Sequence, residues 1–204
     1  MISSGQIVIL NGAPRAGKSS IAAAIQASLN GTWINLGVDT YAKATPPQLM
    51  PGIGLRPGGE RPDLEAFVPI LYAALYDSIA AHARLGLNVV ADFGHHDDYS
   101  RPLRILPDCA RRLAGLNVLF VGVFCPLDVI MARRNANPQN GLYATGETPP
   151  PPVLRWQEAV HVPGIYDLTV DTATTSPEHC AAAIAEAITH PPAGPSAFEQ
   201  LARM

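Results

Sequence analysis

Ile7-Val8-Ile9-Leu10-Asn11-Gly12-Ala13-Pro14-Arg15-Ala16-Gly17-Lys18-Ser19-Ser20 is the stretch that decides how this chain folds. Four aliphatic residues in a row, with no polar face, describe a strand buried on both sides, and such strands belong to parallel sheets covered by helices. Gly12 to Ser19 then spells G-x-x-x-x-G-K-S, a loop that cradles the phosphates of nucleoside triphosphates. Its glycines permit a tight turn with backbone N–H groups facing inward. Lys18 is spaced to reach the β- and γ-phosphates, and the Ser19 hydroxyl to join the shell of a Mg²⁺ ion. Behind the loop, Ile21, Ile25 and Leu29 fall on one face of a helix whose positive N-terminus adds to the attraction. The nucleotide contacts expected from this stretch are Gly12, Ala13, Pro14, Arg15, Ala16, Gly17, Lys18, Ser19 and Ser20.

Outward from the loop, two hydrophobic periods alternate. Short β-rich runs occur at Gln6–Leu10, Thr32–Leu36, Asn88–Ala91, Asn117–Phe124 and Leu168–Val170. Between them, helical spacing covers Leu64–Ala83 (with Leu71, Leu75 and Ile79 on one face), Arg101–Ala114 and Leu127–Asn135. Ser176 as N-cap and Pro177 in the first turn open a last helix carrying Cys180, Ile184 and Ile188. This order predicts an α/β chain of the P-loop nucleoside-triphosphate-binding class: a five-stranded, mostly parallel sheet with helices on both faces. Ligands of such sheets gather at the carboxyl ends of the strands. One domain is expected over residues 1–190, followed by a tail at 191–204 able to serve as a packing arm. Two stretches resist regular structure: the Pro/Gly-rich Thr45–Pro62, and Ala136–Val153 with Pro149-Pro150-Pro151-Pro152 near its end. They read as an acceptor-side loop and a phosphate-side lid.

Composition narrows the function. A chain of 204 residues with 48% hydrophobic content can bury one substantial core. Only 15% of residues are charged, the net charge is −3, and no basic stripe appears, which argues against nucleic acid as a partner. The longest apolar run, Leu116 to Leu127, is too short to span a bilayer, and the first residues lack the cationic start of a signal peptide. Cys109, Cys125 and Cys180 are scattered without metal-ligand spacing and read as buried thiols, in keeping with a reducing cytoplasm. A homo-oligomer is left open.

Several residues at predicted strand ends could carry chemistry. Asp39, after the second strand in Gly37-Val38-Asp39-Thr40, can take the proton of an acceptor hydroxyl or aim its lone pair; the rival role is a helix cap. Asp92 ends the third strand in Val89-Val90-Ala91-Asp92 and can hold Mg²⁺ together with Ser19. Phe93, His95, His96 and Tyr41 are expected near the acceptor, with solvated loop histidines as the alternative. A cation over the transferring phosphoryl group is expected from Arg134, with Lys18, and Arg133 is assigned to the nucleotide. As neighbours on a helix, the two arginines cannot face the same way. Arg155, beyond the lid, is a reserve candidate.

The combined pattern resembles the chloramphenicol 3-O-phosphotransferase family of P-loop kinases, over about Ile7 to Ile188. The carriers are Ile9-Leu10-Asn11-Gly12 with Ala16-Gly17-Lys18-Ser19, Leu36-Gly37-Val38-Asp39-Thr40, Val89-Val90-Ala91-Asp92 and Val121-Gly122-Val123-Phe124-Cys125. His161-Val162-Pro163-Gly164-Ile165-Tyr166-Asp167-Leu168-Thr169-Val170-Asp171-Thr172 completes them. The resemblance implies ATP and Mg²⁺ as co-substrates and transfer of the γ-phosphoryl group to a small-molecule hydroxyl, antibiotics included. It puts Asp39 on the family's base, Lys18 and Ser19 on its phosphate and metal contacts, and Asp171 and Thr172 beside the adenine. The lid departs from the family: Arg134-Asn135-Ala136-Asn137-Pro138-Gln139-Asn140-Gly141 stands where Arg-Glu-x-x-Arg-Gly-Asp-Arg is usual. A nucleotide-binding sensor with a degenerate lid is therefore the alternative. A nucleoside- or shikimate-type kinase ranks third, because Tyr41–Leu55 contains only Lys43 as a basic residue.

Overall fold

The computed structural model describes residues 3–138, 146–191 and 193–204. Five strands form one sheet in the order β2-β3-β1-β4-β5, and every pairing is parallel. β1 (Ile7–Asn11) is central, flanked by β3 (Asn88–Phe93) and β4 (Val118–Phe124), with β2 (Trp33–Asn35) and β5 (Leu168–Asp171) at the edges. The helices are α1 (Lys18–Ser28), α2 (Val38–Ala44), α3 (Pro62–Glu65), α4 (Val68–Arg84), α5 (Ile105–Arg112), α6 (Leu127–Ala136), α7 (Pro151–Ala159), α8 (Pro177–Thr189) and α9 (Ala197–Ala202).

The pleat sorts each strand between two apolar layers. β1 sends Ile7 and Ile9 to the layer of α4, α5 and α9, and Val8 and Leu10 to the layer of α1 and α8. In β3, Val89, Ala91 and Phe93 join the first layer and Val90 the second. Asp92 therefore faces the α1 side at the carboxyl end of the sheet. Each fully buried Ile or Leu of these layers contributes roughly 1.5–3 kcal/mol relative to exposure.

Three boundaries differ from the sequence reading. Leu64–Ala83 is not one helix: α3 ends at Glu65, and α4 restarts at Val68 with Pro69 in its first turn, where the missing N–H costs little. The helix expected from Arg101 begins only at Ile105, because Arg104 has a left-handed backbone (φ 55). The proline run is a helix start rather than lid: Pro151 and Pro152 occupy the first turn of α7, which buries Val153 and Trp156. Of the expected lid, residues 139–145 lie outside the described residues. The tail carries α9, opened by a capping box between Ser196 and Glu199 and buried through Phe198 and Leu201. No helix among the described residues is long and apolar enough to cross a membrane, and the three cysteines are free and buried.

Candidate active site

β1 feeds Asn11 into the loop at the carboxyl edge of the sheet. A Cβ on Gly12 would come within 2.3 Å of the Val123 carbonyl oxygen, so only glycine lets the chain turn this close to β4. The Ala16 N–H donates to the Ala13 carbonyl, and Arg15 (φ 70) and Gly17 (φ 92) take left-handed conformations. That geometry aims successive N–H groups into one concavity, an arrangement that suits an anion. No side chain caps α1 at Gly17, which leaves the first-turn N–H groups to a ligand. Ala13 and Ala16 are buried, Pro14 is half-buried and Ser20 is exposed on the first turn.

Lys18 folds back over the loop, its Nζ donating to the carbonyls of Gly12 (2.8 Å) and Ala13 (2.9 Å). Burial pushes its pKa down to about 8, against the opposing charges of Asp92 and Asp39. The Ser19 hydroxyl donates to Asp92 Oδ2 at 2.9 Å. These two hard oxygen donors fit a Mg²⁺ ion that keeps waters and shares phosphate oxygens. Among the described residues no group of three His, Cys, Asp or Glu side chains could hold a metal alone. The turn into α2 passes directly against Asp92: a Cβ on Gly37 would stand 1.8 Å from Asp92 Oδ1. Asp39 follows in the first turn of α2, exposed, while Gly37 occupies the cap position without a side-chain bond. Asp39 is therefore not the helix cap.

Arg133 joins the phosphate loop to the β5–α8 connection. Its guanidinium donates to the Arg15 carbonyl (3.2 Å), to Cys125 Sγ (3.4 Å), and to Thr172 through both Oγ1 (3.1 Å) and the carbonyl (2.6 Å). Thr172 Oγ1 in turn donates to the Ala16 carbonyl at 2.7 Å. Asp171 turns away, accepting the Ala173 N–H. Arg15 sends its guanidinium to the Asn137 carbonyl just past the end of α6 (2.7 Å). Arg134, expected over the transferring group, is buried at 4% exposure near the end of α6.

On the acceptor side the expectations need correction. Phe93 is fully buried and packs on Tyr72 and Tyr76, because it continues the Val89 and Ala91 face of β3 into the α4 layer. It is a core side chain. His95 is 1% exposed, with Nε2 2.7 Å from the Tyr76 hydroxyl, and burial pushes its pKa down to about 3. His96 is 5% exposed and its Nε2 meets the Leu55 carbonyl at 2.9 Å. Neither histidine is solvated: they anchor the Gly94–Tyr99 loop and the Pro/Gly-rich segment. Tyr41 is half-buried against the same layer. Sequence reasoning missed Trp156, whose ring covers Gly94 (2.7 Å from a Cβ built there) and meets His96 edge-on. Arg155, the reserve candidate for the cation over the transferring group, lies with its guanidinium against Gly58 of the Pro/Gly-rich segment.

The family model described as chloramphenicol phosphotransferase-like protein matches residues 5–189. The chain belongs to that family. A curated relative from Mycobacterium tuberculosis (strain H37Rv), whose provisional name is O-phosphotransferase, is 31% identical over 189 residues, 86% of this chain and 78% of the relative. Solved structures share the fold at lower identity. Shikimate kinase from Acinetobacter baumannii, in complex with shikimate, superposes with a TM-score of 0.62 at 12% identity, covering 95% of this chain and 98% of its own. The Deinococcus radiodurans tunicamycin resistance protein gives 0.61 at 17% identity, covering 90% and 95%. The Mycobacterium tuberculosis APS kinase CysC, solved with AMPPNP and APS, gives 0.53 at 16% identity, covering 92% and 99%. This member of the chloramphenicol phosphotransferase-like family thus has the P-loop kinase fold, with its phosphate loop and both strand-end carboxylates on one edge of the sheet.

Proposed function

We propose that the protein is an ATP- and Mg²⁺-dependent O-phosphotransferase acting on a small, uncharged, partly apolar hydroxyl compound. The observation that carries this reading is the convergence of Lys18, the Ser19–Asp92 pair and Asp39: both carboxylates act on the Lys18 charge, yet only Asp92 is tied to the loop. Asp39 is left for another partner. A bound nucleotide would be held by the 12–19 backbone and Lys18, with its Mg²⁺ at Ser19 and Asp92; the metal would neutralise charge on the phosphates. Asp39 then accepts the proton of the acceptor hydroxyl as that oxygen bonds to the γ-phosphorus and the bond to the ADP oxygen breaks. Lys18 stabilises the charge spread over the transferring group. Buried Ile53 and Leu55 back the acceptor-side segment, and Arg56 and Arg61 are matched by Glu60 and Asp63, which favours an uncharged acceptor. Antibiotics fall within that class, in keeping with the family name. A cytoplasmic setting, where ATP is abundant and thiols stay reduced, suits the three free cysteines.

Labelled ATP with a panel of hydroxylated metabolites and antibiotics tests the reading. Asp39→Asn is expected to lose transfer by at least 10²-fold while binding nucleotide with nearly unchanged affinity. Unaltered turnover in that variant removes Asp39 from the chemistry. Tight nucleotide binding by the native protein without transfer to any acceptor favours a sensor instead.

A further inference from the structure

The stretch from His161 to Tyr166, conspicuous in sequence, has no part in the chemistry above, and through Tyr166 it reaches Asn11, the residue that leads into the phosphate loop. The His161 ring stacks on Phe124, the last residue of β4, with centroids 3.8 Å apart and planes 11° apart. Its Nδ1 lies 2.8 Å from the Tyr166 hydroxyl. That hydroxyl also accepts from Asn11 Nδ2 at 3.0 Å. Asn11 is buried at 1% exposure, and its amide orientation is set twice over. Its Oδ1 accepts the His95 N–H at 2.7 Å, and Nδ2 donates to the Val160 carbonyl at 2.8 Å. Asn11 is the residue immediately before Gly12, so this network is rooted in the phosphate loop itself.

The Tyr166 oxygen receives a hydrogen from Asn11, and its own O–H has His161 Nδ1 within reach as an acceptor. With that O–H donating to Nδ1, a neutral His161 carries its hydrogen on Nε2. Burial and the nearby Lys18 charge both hold the ring neutral, its pKa pushed down to about 4. Among the described residues the His161 side chain hydrogen-bonds through Nδ1 alone, and Nε2 is open to solvent. The half-buried ring lies in electrostatic range of the lysine of the phosphate loop, with Nε2 free to meet a ligand.

We propose that His161 is a further phosphate contact, a neutral imidazole oriented by Tyr166 and Asn11 so that Nε2–H donates to the phosphate chain of the bound nucleotide. This rests on the nucleotide reading of the loop. It supplies one donor in a chain that lacks the usual run of lid arginines, and it adds no positive charge beside Lys18.

Calorimetric titration with Mg·AMPPNP, paired with long-range ¹H–¹⁵N spectra of the native protein, tests the assignment. His161→Phe keeps the stack on Phe124 and removes the donor; its affinity should fall about tenfold or more, the scale of one hydrogen bond to a charged group. His161→Gln, which restores an N–H donor, should recover most of that loss, as a merely structural role would not. In the native apo protein the ring should show a protonated Nε2 and a bare Nδ1, with Nε2 shifting when AMPPNP binds. Undiminished binding by His161→Phe, a ring protonated on Nδ1, or an Nε2 signal indifferent to AMPPNP would each overturn the proposal. Native protein that does not bind AMPPNP would instead refute the nucleotide reading, and His161 with it.

Discussion

At the scale of single residues, Lys18 is the most informative group. It is half-buried with its charge partly opposed by desolvation, and it gives up that charge near pH 8. A phosphate beside it would favour the ammonium, so the bound state takes up protons that the free state has lost. Nucleotide affinity should accordingly be level below about pH 8 and fall as pH rises further. Calorimetry between pH 6 and 10 checks this, and an affinity unchanged to pH 10 would contradict it. Asp92 calls for a different measurement. Asp92→Asn removes a charge 2.9 Å from Ser19 Oγ, and the Mg²⁺ concentration for half-maximal transfer should rise about tenfold or more. Most residues of this edge were legible in sequence, because a phosphate loop and a strand-end carboxylate are local patterns. Phe93 departs from its expected place because the alternation Val89, Ala91, Phe93 runs one residue past Asp92 into the α4 layer.

At the scale of elements, the site depends on two close approaches. The β2–α2 turn touches Asp92 through Gly37, whose φ of −70 suits any residue, so space and not backbone freedom demands glycine there. Gly37→Ala should push the Asp92 carboxylate off Ser19 and lower turnover by at least tenfold with a native-like circular dichroism spectrum. Wild-type turnover in that variant would mean the turn can move aside. The second approach is α7 against the β3 end, made by Trp156 on Gly94 and His96. Trp156→Ala should destabilise the protein by about 3–5 kcal/mol, read from urea unfolding. Neither approach shows as a local pattern: α7 begins inside a proline run, and α2 is too short to show a helical period.

At the scale of the whole molecule, the buried histidines set an acid limit. In the folded state His95 and His161 stay neutral down to about pH 3 and 4, whereas unfolded histidines protonate near pH 6.5. Unfolding therefore takes up protons, and stability should decline steadily from about pH 6.5 downward by a few kcal/mol. Asp167, whose pKa burial raises, works weakly the other way. A urea midpoint that does not move between pH 7 and 4 would contradict this. The carboxyl-terminal arm matters on the same scale: α9 places Phe198 on Phe120 and Tyr76 and buries Leu201 completely. Deleting residues 193–204 should cost several kcal/mol, at roughly 1.5–3 kcal/mol for each large side chain exposed.

What the chain's own order of residues determined was everything with a short period: the strand and loop at 7–19, the alternation of buried strands with helices, and the acidic residues at strand ends. Such features follow from alternation along a strand and from donor spacing in a turn, both of which act over a few residues. Only the tertiary structure decided which side of the sheet each residue faces and what covers it. The burial of His95 and His96, the helix over the β3 end and the docked arm all join residues far apart in sequence. Contacts of that kind are chosen by which apolar surfaces can close together, and no local pattern encodes that choice.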